Sequence, residues 1–283
     1  MTIPYYDAAA IARLLPPAAA VAAIEAALRD GLDPSAGVPR SSVPLPAGEL
    51  LLMPAASATH AGVKLATVAP GNPGRGLPRV NAVYVLFDGE TLRPAALFDG
   101  AALTTLRTPA VSVAAVRPFL KDTLGVVVFG AGPQGLGHRD TLAAVAELSH
   151  VDIVRRGTGV PASIRTADVV VCATTAREPL FDSALLRDDV VVIAVGSHEP
   201  DAREVDTALC RSATVIVEDV ATALRECGDV ILAGLAPHDL HRIGTVATAR
   251  RVLFKGSGMA WQDLVVAEAV LRADQGADPL RAE

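Results

Sequence analysis

A glycine-rich turn between a buried strand and a helix constrains the fold most. Residues 125–130 read Gly-Val-Val-Val-Phe-Gly, a short apolar run typical of a strand buried on both faces of a parallel sheet. The turn then follows the pattern GxGxxG and opens a predicted helix that runs to about Leu148. In this context the first glycine allows a tight turn, the second admits a pyrophosphate, and the helix N-terminus supplies N–H donors. The pattern predicts dinucleotide binding, with a plain tight turn as the alternative; the residues concerned are Gly130, Gly132, Pro133, Gln134 and Gly135.

Further apolar strands follow this turn at regular intervals. They cover residues 151–154, 169–172, 190–195 and 214–217, separated by turns or helix-like segments. Alternating strands and helices of this kind predict an α/β fold, a Rossmann-type doubly wound parallel sheet. We place this domain at residues 122–249. The connection from 157 to 167 is too short for an ordinary crossover helix.

The end of the second strand bears on the choice of cofactor. NAD-binding domains usually carry an acidic residue about 20 positions after the glycines. Here Asp152 lies inside the strand, and the tip reads Arg155-Arg156-Gly157-Thr158. Two guanidinium groups suit a phosphate dianion, so Arg155, Arg156 and Thr158 favour NADP(H) over NAD(H). The alternative is a solvated surface pair of arginines.

The first part of the chain has a different character. Helices are predicted from Asp7 to Leu15 and from Pro17 to before Gly31, and another is predicted to begin at Thr108-Pro109 and reach Leu120. Strands are predicted at 50–53 and 63–68, and a hairpin joins 82–87 to 95–98. A final helix is predicted over 261–273. We therefore expect an α+β domain, formed by residues 1–121 and 250–283, into which the parallel sheet is inserted.

Composition excludes several classes of protein. The 283 residues include 25 Lys and Arg and 31 Asp and Glu, which gives a formal charge of -6. This negative charge argues against nucleic-acid and anionic-membrane partners. The 3 cysteines are widely spaced and imply neither a disulfide framework nor a zinc site. No apolar run approaches the roughly 18 residues of a membrane span. These features favour a cytoplasmic protein.

Lysine is scarce, and one of its occurrences lies in an apolar strand. The lysines are Lys64, Lys121 and Lys255, against 22 arginines. Lys64 belongs to Gly-Val-Lys-Leu-Ala-Thr-Val, where it shares a face with Gly62, Ala66 and Val68. Burial on that face would lower the pKa of the lysine toward a range useful for proton transfer. If the opposite face is the buried one, Lys64 reaches solvent instead.

Several motifs in order resemble those of the ornithine cyclodeaminase/mu-crystallin family of NAD(P)-dependent proteins. The motifs are Leu-Met-Pro at 52–54, Gly-Val-Lys at 62–64, the loop 72–78, Leu-Thr-Thr-Leu-Arg-Thr at 103–108, the glycine turn, and segments 167–174, 195–204 and 254–263. The resemblance implies a homodimer in which the first half and the last helix form the dimerisation and substrate domain. It implies an amino-acid or imino-acid substrate and a nicotinamide cofactor.

The resemblance also implies roles for individual residues. Lys64 would handle the proton on nitrogen, Arg107 and Arg40 would hold a substrate carboxylate, and Glu226 would lie on the substrate side. Each arginine could also be an ordinary surface residue, and Glu226 could simply solvate a helix end. Further residues expected at the cofactor are Thr108, Thr174, Thr175, Val195, Ser197 and Gly256. Thr174, Thr175 and Ser197 lie at the carboxyl edge of the predicted sheet, and turn chemistry is the alternative role for them.

Two departures from the cyclodeaminase pattern bear on the reaction. His198 stands where cyclodeaminases have an aspartate, and Leu51 where they have another carboxylate. His198 is a second acid/base or a polar loop residue. Loss of both acidic groups favours NADPH-dependent reduction of a carboxylate-bearing imine, such as pyrroline-2-carboxylate. The alternatives are an amino-acid cyclodeaminase and a mu-crystallin-like protein that binds NADPH and a ligand.

Overall fold

The chain forms two β-sheets that belong to two separate units of a computed structural model, which describes residues 2–276. The first unit runs to Thr108 and resumes at Met259, and the second comprises Pro109–Gly258. The segments 109–121 and 250–258 thus group with the second unit, whereas we expected them in the first. The physical reason at the second boundary is a strand, Val252–Lys255, that pairs within the parallel sheet.

Three helices of the first unit match their predicted positions. Asp7 caps the first by accepting a hydrogen bond from the Ala10 N–H, and Pro17 begins the second as expected for the first turn. The third is buried on all sides from Trp261 to Leu271, and apart from Gln262, Asp263 and Glu268 this stretch is apolar around its circumference. These helices are α1 (Ala8–Leu14), α2 (Pro17–Arg29) and α8 (Ala260–Asp274).

The first unit also contains a six-stranded sheet in the order β1-β6-β5-β4-β3-β2. Its strands are β1 (Tyr5–Tyr6), β2 (Ser41–Leu45), β3 (Gly48–Ala56), β4 (His60–Val68), β5 (Val80–Asp88) and β6 (Pro94–Asp99). All neighbours are antiparallel except β1 and β6. α8 packs across one face of β3, β4 and β5. The predicted β5–β6 hairpin is confirmed.

The helix that we predicted from Thr108-Pro109 begins nine residues earlier. The observed helix is α3 (Gly100–Val116), with Pro109 in its interior. The Asp99 carboxylate accepts hydrogen bonds from the N–H groups of Ala101 and Ala102 and so starts the helix. Thr108 is therefore not a cap, and Arg107 lies in the middle of a helix rather than before one.

The second unit contains a seven-stranded parallel sheet in the order β12-β11-β13-β10-β9-β7-β8. Its strands are β7 (Thr123–Phe129), β8 (Glu147–Val154), β9 (Val169–Cys172), β10 (Val191–Ala194), β11 (Thr214–Val217), β12 (Leu240–Arg242) and β13 (Val252–Lys255). The predicted parallel sheet is confirmed. Strand order reverses between β7 and β9, the type of position at which such sheets bind ligands beyond the carboxyl ends of their strands.

The helices of the second unit are short. They are α4 (Pro133–Ala143), α5 (Thr207–Ser212), α6 (Val220–Glu226) and α7 (Gly228–Leu232). α4 ends before the predicted Leu148 because Glu147 and Leu148 already pair with Thr123 and Leu124 as the start of β8. The connection from β8 to β9 holds only a 3-10 helix, Ala162–Arg165, as its length led us to expect. A cavity of about 280 Å³ lies beside it, at the amino end of β7.

The N-terminal helices bear on the membrane question. Within residues 2–276, no single helix is long and apolar enough to cross a membrane. α1 and α2 taken together do reach that length and composition, with a bend of 72° between them.

Candidate active site

Lys64 lies on the face of the first sheet that α8 covers. Alternation along β4 turns Gly62, Lys64 and Ala66 inward, and each of these residues is buried. Met53 and Tyr84 flank Lys64 on the two neighbouring strands, in direct register. The lysine is only 3% exposed, so the structure selects the buried alternative.

The partner of the lysine comes from the first turn of α8. The Lys64 ammonium donates a hydrogen bond to Asp263 Oδ2 at 2.8 Å, and a longer one to Thr104 Oγ1 at 3.3 Å. Asp263 is fully buried, so the two charges compensate each other where water cannot. Sequence reasoning assigned no role to Asp263, although an aspartate in the first turn of a largely apolar helix was visible.

Arg107 approaches the same carboxylate from α3. Its Nε lies 3.5 Å from Asp263 Oδ1, and one terminal nitrogen donates a hydrogen bond to the Gln262 side-chain oxygen. Arg107 is 6% exposed. Arg40 is half-buried and close enough for its charge to act on Lys64. Lys64 and Arg107 therefore both lie against the Asp263 carboxylate, and Arg40 adds a positive charge that acts on Lys64. A group of cations of this kind suits an anionic ligand.

Burial and the neighbouring charges set the protonation of Lys64. Burial lowers its pKa most, Asp263 raises it, and the positive charges of Arg107 and Arg40 lower it further. The balance brings the pKa from its ordinary value of 10.5 down to about 8. A lysine with this pKa is largely protonated at neutral pH yet can give up its proton at modest cost, as general acid catalysis requires.

Tyr84 fills the space beside Lys64. A side chain at Gly62 would place its Cβ 2.1 Å from the Tyr84 hydroxyl oxygen, so only glycine fits there. The hydroxyl is buried and makes no hydrogen bond among the described residues. Burial, together with the nearby Asp263 and Glu268 carboxylates, raises the pKa of Tyr84 far above its ordinary value. The phenol therefore stays neutral and adds no charge to the site.

The glycine turn of the second unit has the geometry that a dinucleotide site needs. Gly130 has φ +113°, and a Cβ there would lie 2.3 Å from the Ala173 carbonyl oxygen. A Cβ on Gly135 would lie 1.8 Å from the Gly130 oxygen, which shows how closely α4 packs on the turn. By contrast, a Cβ on Gly132 would meet nothing within 4 Å. The open space at Gly132, at the N-terminus of α4, fits an approaching pyrophosphate.

The arginine pair lies exposed just beyond β8. Arg156 donates a hydrogen bond to Thr175 Oγ1 at 2.8 Å, across to the end of β9. The Thr158 hydroxyl donates to the Arg155 carbonyl oxygen and shapes the turn. Asp152 lies inside β8, where its Oδ2 accepts a hydrogen bond from the Ser163 hydroxyl and contacts His150 Nε2 at 2.9 Å. No acidic side chain lies at residues 155–158, the tip of this strand.

A buried glutamate joins two strand ends at the same edge of the sheet. Glu204 Oε1 accepts hydrogen bonds from the Thr174 N–H and hydroxyl, both at 2.7 Å, and Oε2 accepts one from the Gly196 N–H at 2.7 Å. Gly196 packs so tightly that a Cβ would lie 2.1 Å from the Thr174 carbonyl oxygen. Glu204 was not predicted as a site residue, and its position in the loop after β10 was the only signal.

Lys255 extends this buried network. It pairs with Asp229 at 3.0 Å and donates a hydrogen bond to the Ser197 carbonyl oxygen. Asp229 also accepts hydrogen bonds from the N–H groups of Glu204 and Val205. Burial by itself lowers the pKa of Lys255, but the Asp229, Cys227 and Glu204 groups together raise it by more, so the pKa lies above its ordinary value. Lys255 therefore stays protonated and stabilises the loop after β10, and it does not act as a proton donor.

The remaining predicted cofactor residues are placed around this loop. The Ser197 hydroxyl donates to the Ala202 carbonyl oxygen, so it shapes the loop. Val195 follows β10, and its N–H donates to the Cys172 carbonyl oxygen. A Cβ on Gly256 would lie 3.1 Å from the Phe254 ring and 3.2 Å from Val195. The small residue thus suits local packing.

Three further predicted residues lie in a loop and in two helices. His198 is exposed in the loop after β10. Glu226 ends α6 and forms an ion pair with its neighbour Arg225 at 2.6 Å. Thr108 lies inside α3 at the end of the first unit. The structure brings together Lys64, Arg107 and Arg40 in the first unit, and it groups the glycine turn, Thr174, Val195 and Ser197 at one edge in the second.

Comparison with known proteins points to one family. A family model described as "Ornithine cyclodeaminase/mu-crystallin family" matches residues 7–160 and 154–276. The Delta(1)-pyrroline-2-carboxylate/Delta(1)-piperideine-2-carboxylate reductase of Azospirillum brasilense is 30% identical over 93% of this chain and 93% of its own length.

Solved structures share the fold over nearly the whole chain. A Thermococcus litoralis Delta(1)-pyrroline-2-carboxylate reductase in complex with NADH and L-proline has TM-score 0.86 at 22% identity and covers 97% of this chain and 98% of its own. An archaeal alanine dehydrogenase dimer with bound NAD has TM-score 0.84 at 24% identity, and the match covers 98% of this chain and 97% of its own. At these identities the likeness establishes the fold.

Proposed function

This chain belongs to the ornithine cyclodeaminase/mu-crystallin family, and from that premise we propose that it is a nicotinamide-dependent reductase of cyclic imines that carry a carboxylate. The observation that carries the proposal is the buried Lys64–Asp263 pair with Arg107 beside it. A proton donor next to an anion-binding cation is what reduction of an imino acid needs. The Azospirillum brasilense relative, named for pyrroline- and piperideine-2-carboxylate, supports the substrate class.

The residues of the first unit divide the work between binding and proton transfer. Arg107 and Arg40 hold the substrate carboxylate, Arg107 through its planar guanidinium. The Lys64 ammonium donates its proton to the imine nitrogen, which makes the neighbouring carbon electrophilic. A bound dihydronicotinamide supplies the hydride for that carbon. One hydride and one proton convert the C=N bond into a secondary amine, and Lys64 then regains a proton from solvent.

In the second unit, the glycine turn receives the pyrophosphate, and the arginine pair selects the cofactor. Arg155 and Arg156 favour NADP(H), because each can form charge-assisted hydrogen bonds to a 2′-phosphate. Asp152 lies inside β8, and no acidic side chain stands at residues 155–158, where an NAD-binding domain would present one to a ribose hydroxyl. Arg155→Ala/Arg156→Ala should raise the KM for NADPH at least tenfold, a loss of about 1.4 kcal/mol, and leave the KM for NADH nearly unchanged. Equal effects on both cofactors would contradict this assignment.

We further propose that the protein is a homodimer and acts in the cytoplasm. The face of the first sheet opposite Lys64 carries half-exposed apolar residues in register, among them Leu52, Leu65 and Val83 on adjacent strands. An apolar face of this extent favours association, and a second copy of the chain is the partner we assign to it. The three cysteines are buried and unbonded, in keeping with a reducing compartment.

The test measures NADPH oxidation with a panel of cyclic ketimine carboxylates. We expect rapid consumption with pyrroline-2-carboxylate or piperideine-2-carboxylate in the wild-type protein. Lys64→Met should abolish turnover but retain NADPH binding, whereas the matched control Lys121→Met, at an exposed lysine of the second unit, should retain both. Ammonia release from ornithine without net NADPH loss would instead establish a cyclodeaminase, and binding without turnover would establish a ligand-binding protein.

A further inference from the structure

We infer that Asp263 is the positioning residue that aims the Lys64 ammonium and keeps it protonated, and that Asp263 thereby sets the upper pH limit of turnover. This inference rests on the proposed function, because it takes Lys64 as the proton donor to the imine nitrogen. It assigns a task to a carboxylate that the proposed chemistry does not itself consume.

The geometry around the ammonium shows how its direction is fixed. Among the described residues, Lys64 Nζ donates to two oxygens, Asp263 Oδ2 at 2.8 Å and Thr104 Oγ1 at 3.3 Å. An ammonium carries three N–H groups, so the third points away from both oxygens and is the one available to a substrate. The two acceptors come from different helices, and together they leave the ammonium little rotational freedom.

Asp263 is itself held in place. It lies in the first turn of α8, a helix buried from Trp261 to Leu271, and its side chain is fully buried. Its second oxygen lies 3.5 Å from Arg107 Nε. The carboxylate thus lies between the two cations that we assign to proton transfer and carboxylate binding, and it fixes their separation.

The charge balance explains why the carboxylate is needed. The groups that face Lys64 are Asp263, the cations Arg107 and Arg40, and the neutral hydroxyls of Thr104 and Tyr84. Asp263 is the one anion in this set, and Glu268 acts on Tyr84 from further along α8. Without Asp263, an ammonium in a buried site would face two cations and no anion, and would lose its proton at lower pH.

The scarcity of lysine makes a direct measurement practical. The chain has three lysines, so protein labelled with 13C at lysine Cε gives three NMR signals, assigned from Lys64→Met and Lys121→Met. In the wild type, the Lys64 signal should titrate with a midpoint near 8, in line with its pKa. In Asp263→Asn, which keeps the shape but removes the charge, the midpoint should fall by about one unit or more. Asp263→Glu should restore it in part.

The other two signals report whether the variant folds. Lys121 and Lys255 lie in the second unit, where their ion pairs do not involve Asp263. Their signals should stay at the wild-type positions in folded Asp263→Asn. An unchanged Lys64 midpoint in that folded variant would overturn the inference. If Asp263→Asn does not fold, Asp263→Glu decides: a Lys64 midpoint below that of the wild type supports the inference, because the displaced carboxylate raises the pKa less, and a midpoint equal to that of the wild type overturns it.

Turnover supplies the second readout. A midpoint lowered by one unit cuts the protonated fraction of Lys64 about threefold at pH 7.5 and about tenfold at pH 9. We therefore expect the alkaline limb of the kcat profile to move to lower pH in Asp263→Asn, whereas a purely structural defect would lower kcat equally at every pH. Failure of the proposed function would show as wild-type protein without turnover, and the NMR titration would still decide the role of Asp263.

Discussion

Gly132→Ala separates cofactor binding from folding in the second unit. Gly132 has φ -83° and ψ -178°, an extended conformation that alanine adopts freely. A Cβ there would meet no protein atom within 4 Å. The new methyl group therefore points into the space that we assign to the pyrophosphate.

The effect on stability should be small because two contributions oppose each other. Alanine reduces the entropy of the unfolded chain, worth about 0.4–1 kcal/mol. As the N-cap of α4 it is less suitable than glycine by a similar amount. The free energy of unfolding should thus change by less than about 0.5 kcal/mol. The Kd for NADPH should rise at least tenfold, about 1.4 kcal/mol, because the methyl group keeps the phosphates off the backbone.

The assay combines thermal unfolding without nucleotide and titration with NADPH. Gly130→Ala is the matched comparison: its Cβ would lie 2.3 Å from the Ala173 carbonyl oxygen at φ +113°. That variant should lose about 2–4 kcal/mol of stability, because strain and clash add. Wild-type affinity for NADPH in Gly132→Ala would refute the assignment of this turn to the pyrophosphate.

Three further outcomes follow from the buried groups. Burial lowers the pKa of His138 from 6.5 to about 4, so the unfolded chain binds more protons than the folded chain between these pH values. The free energy of unfolding should therefore fall by about 3 kcal/mol from pH 6.5 to pH 4. In urea titrations, His138→Gln should show a flatter dependence of this free energy on pH. Lys255→Met leaves Asp229 buried without its cation and should cost about 3–5 kcal/mol by chemical denaturation, and a loss below 1 kcal/mol would contradict the pairing. Gly62→Ala should lower the stability by about 1–3 kcal/mol in the same assay, since its Cβ would collide with the Tyr84 hydroxyl, and an unchanged midpoint would show that the ring can move aside.

Local patterns predicted most of the elements that position the site. The strand of residues 125–130 and its glycine turn were recognisable because burial on both faces of a parallel sheet and the tight turn each demand particular residue types. Alternation in β4 showed that Lys64 shares a face with Gly62 and Ala66, so Lys64 would be buried if that face pointed inward, as it does. The hairpin of β5 and β6 followed from its turn.

Features that depend on distant contacts could not be predicted in the same way. The start of α3 was misplaced because Thr108-Pro109 carries a helix-start signal, whereas Asp99 begins the helix and Pro109 is accommodated inside it. The strand Val252–Lys255 was missed because its partners, β10 and β11, lie far away in sequence. A short apolar run of this kind has no periodicity of its own.

The partners of the buried lysines were also out of reach. Asp263 lies 199 positions from Lys64, and Asp229 lies 26 positions before Lys255 on a different element. A buried carboxylate becomes recognisable only when the fold places a cation beside it. The resemblance suggested the roles of Arg40 and Arg107, and the structure places both positive charges close enough to lower the pKa of Lys64.

The most direct test of the proposed reaction follows the hydride itself. The protein is incubated with pyrroline-2-carboxylate and NADPH deuterated at both C4 positions, and the product is analysed by mass spectrometry and NMR. The proposal predicts proline with one deuterium at C2 and one NADPH consumed per proline formed. Absence of deuterated proline, with NADPH bound but not oxidised, would contradict imine reduction by this protein.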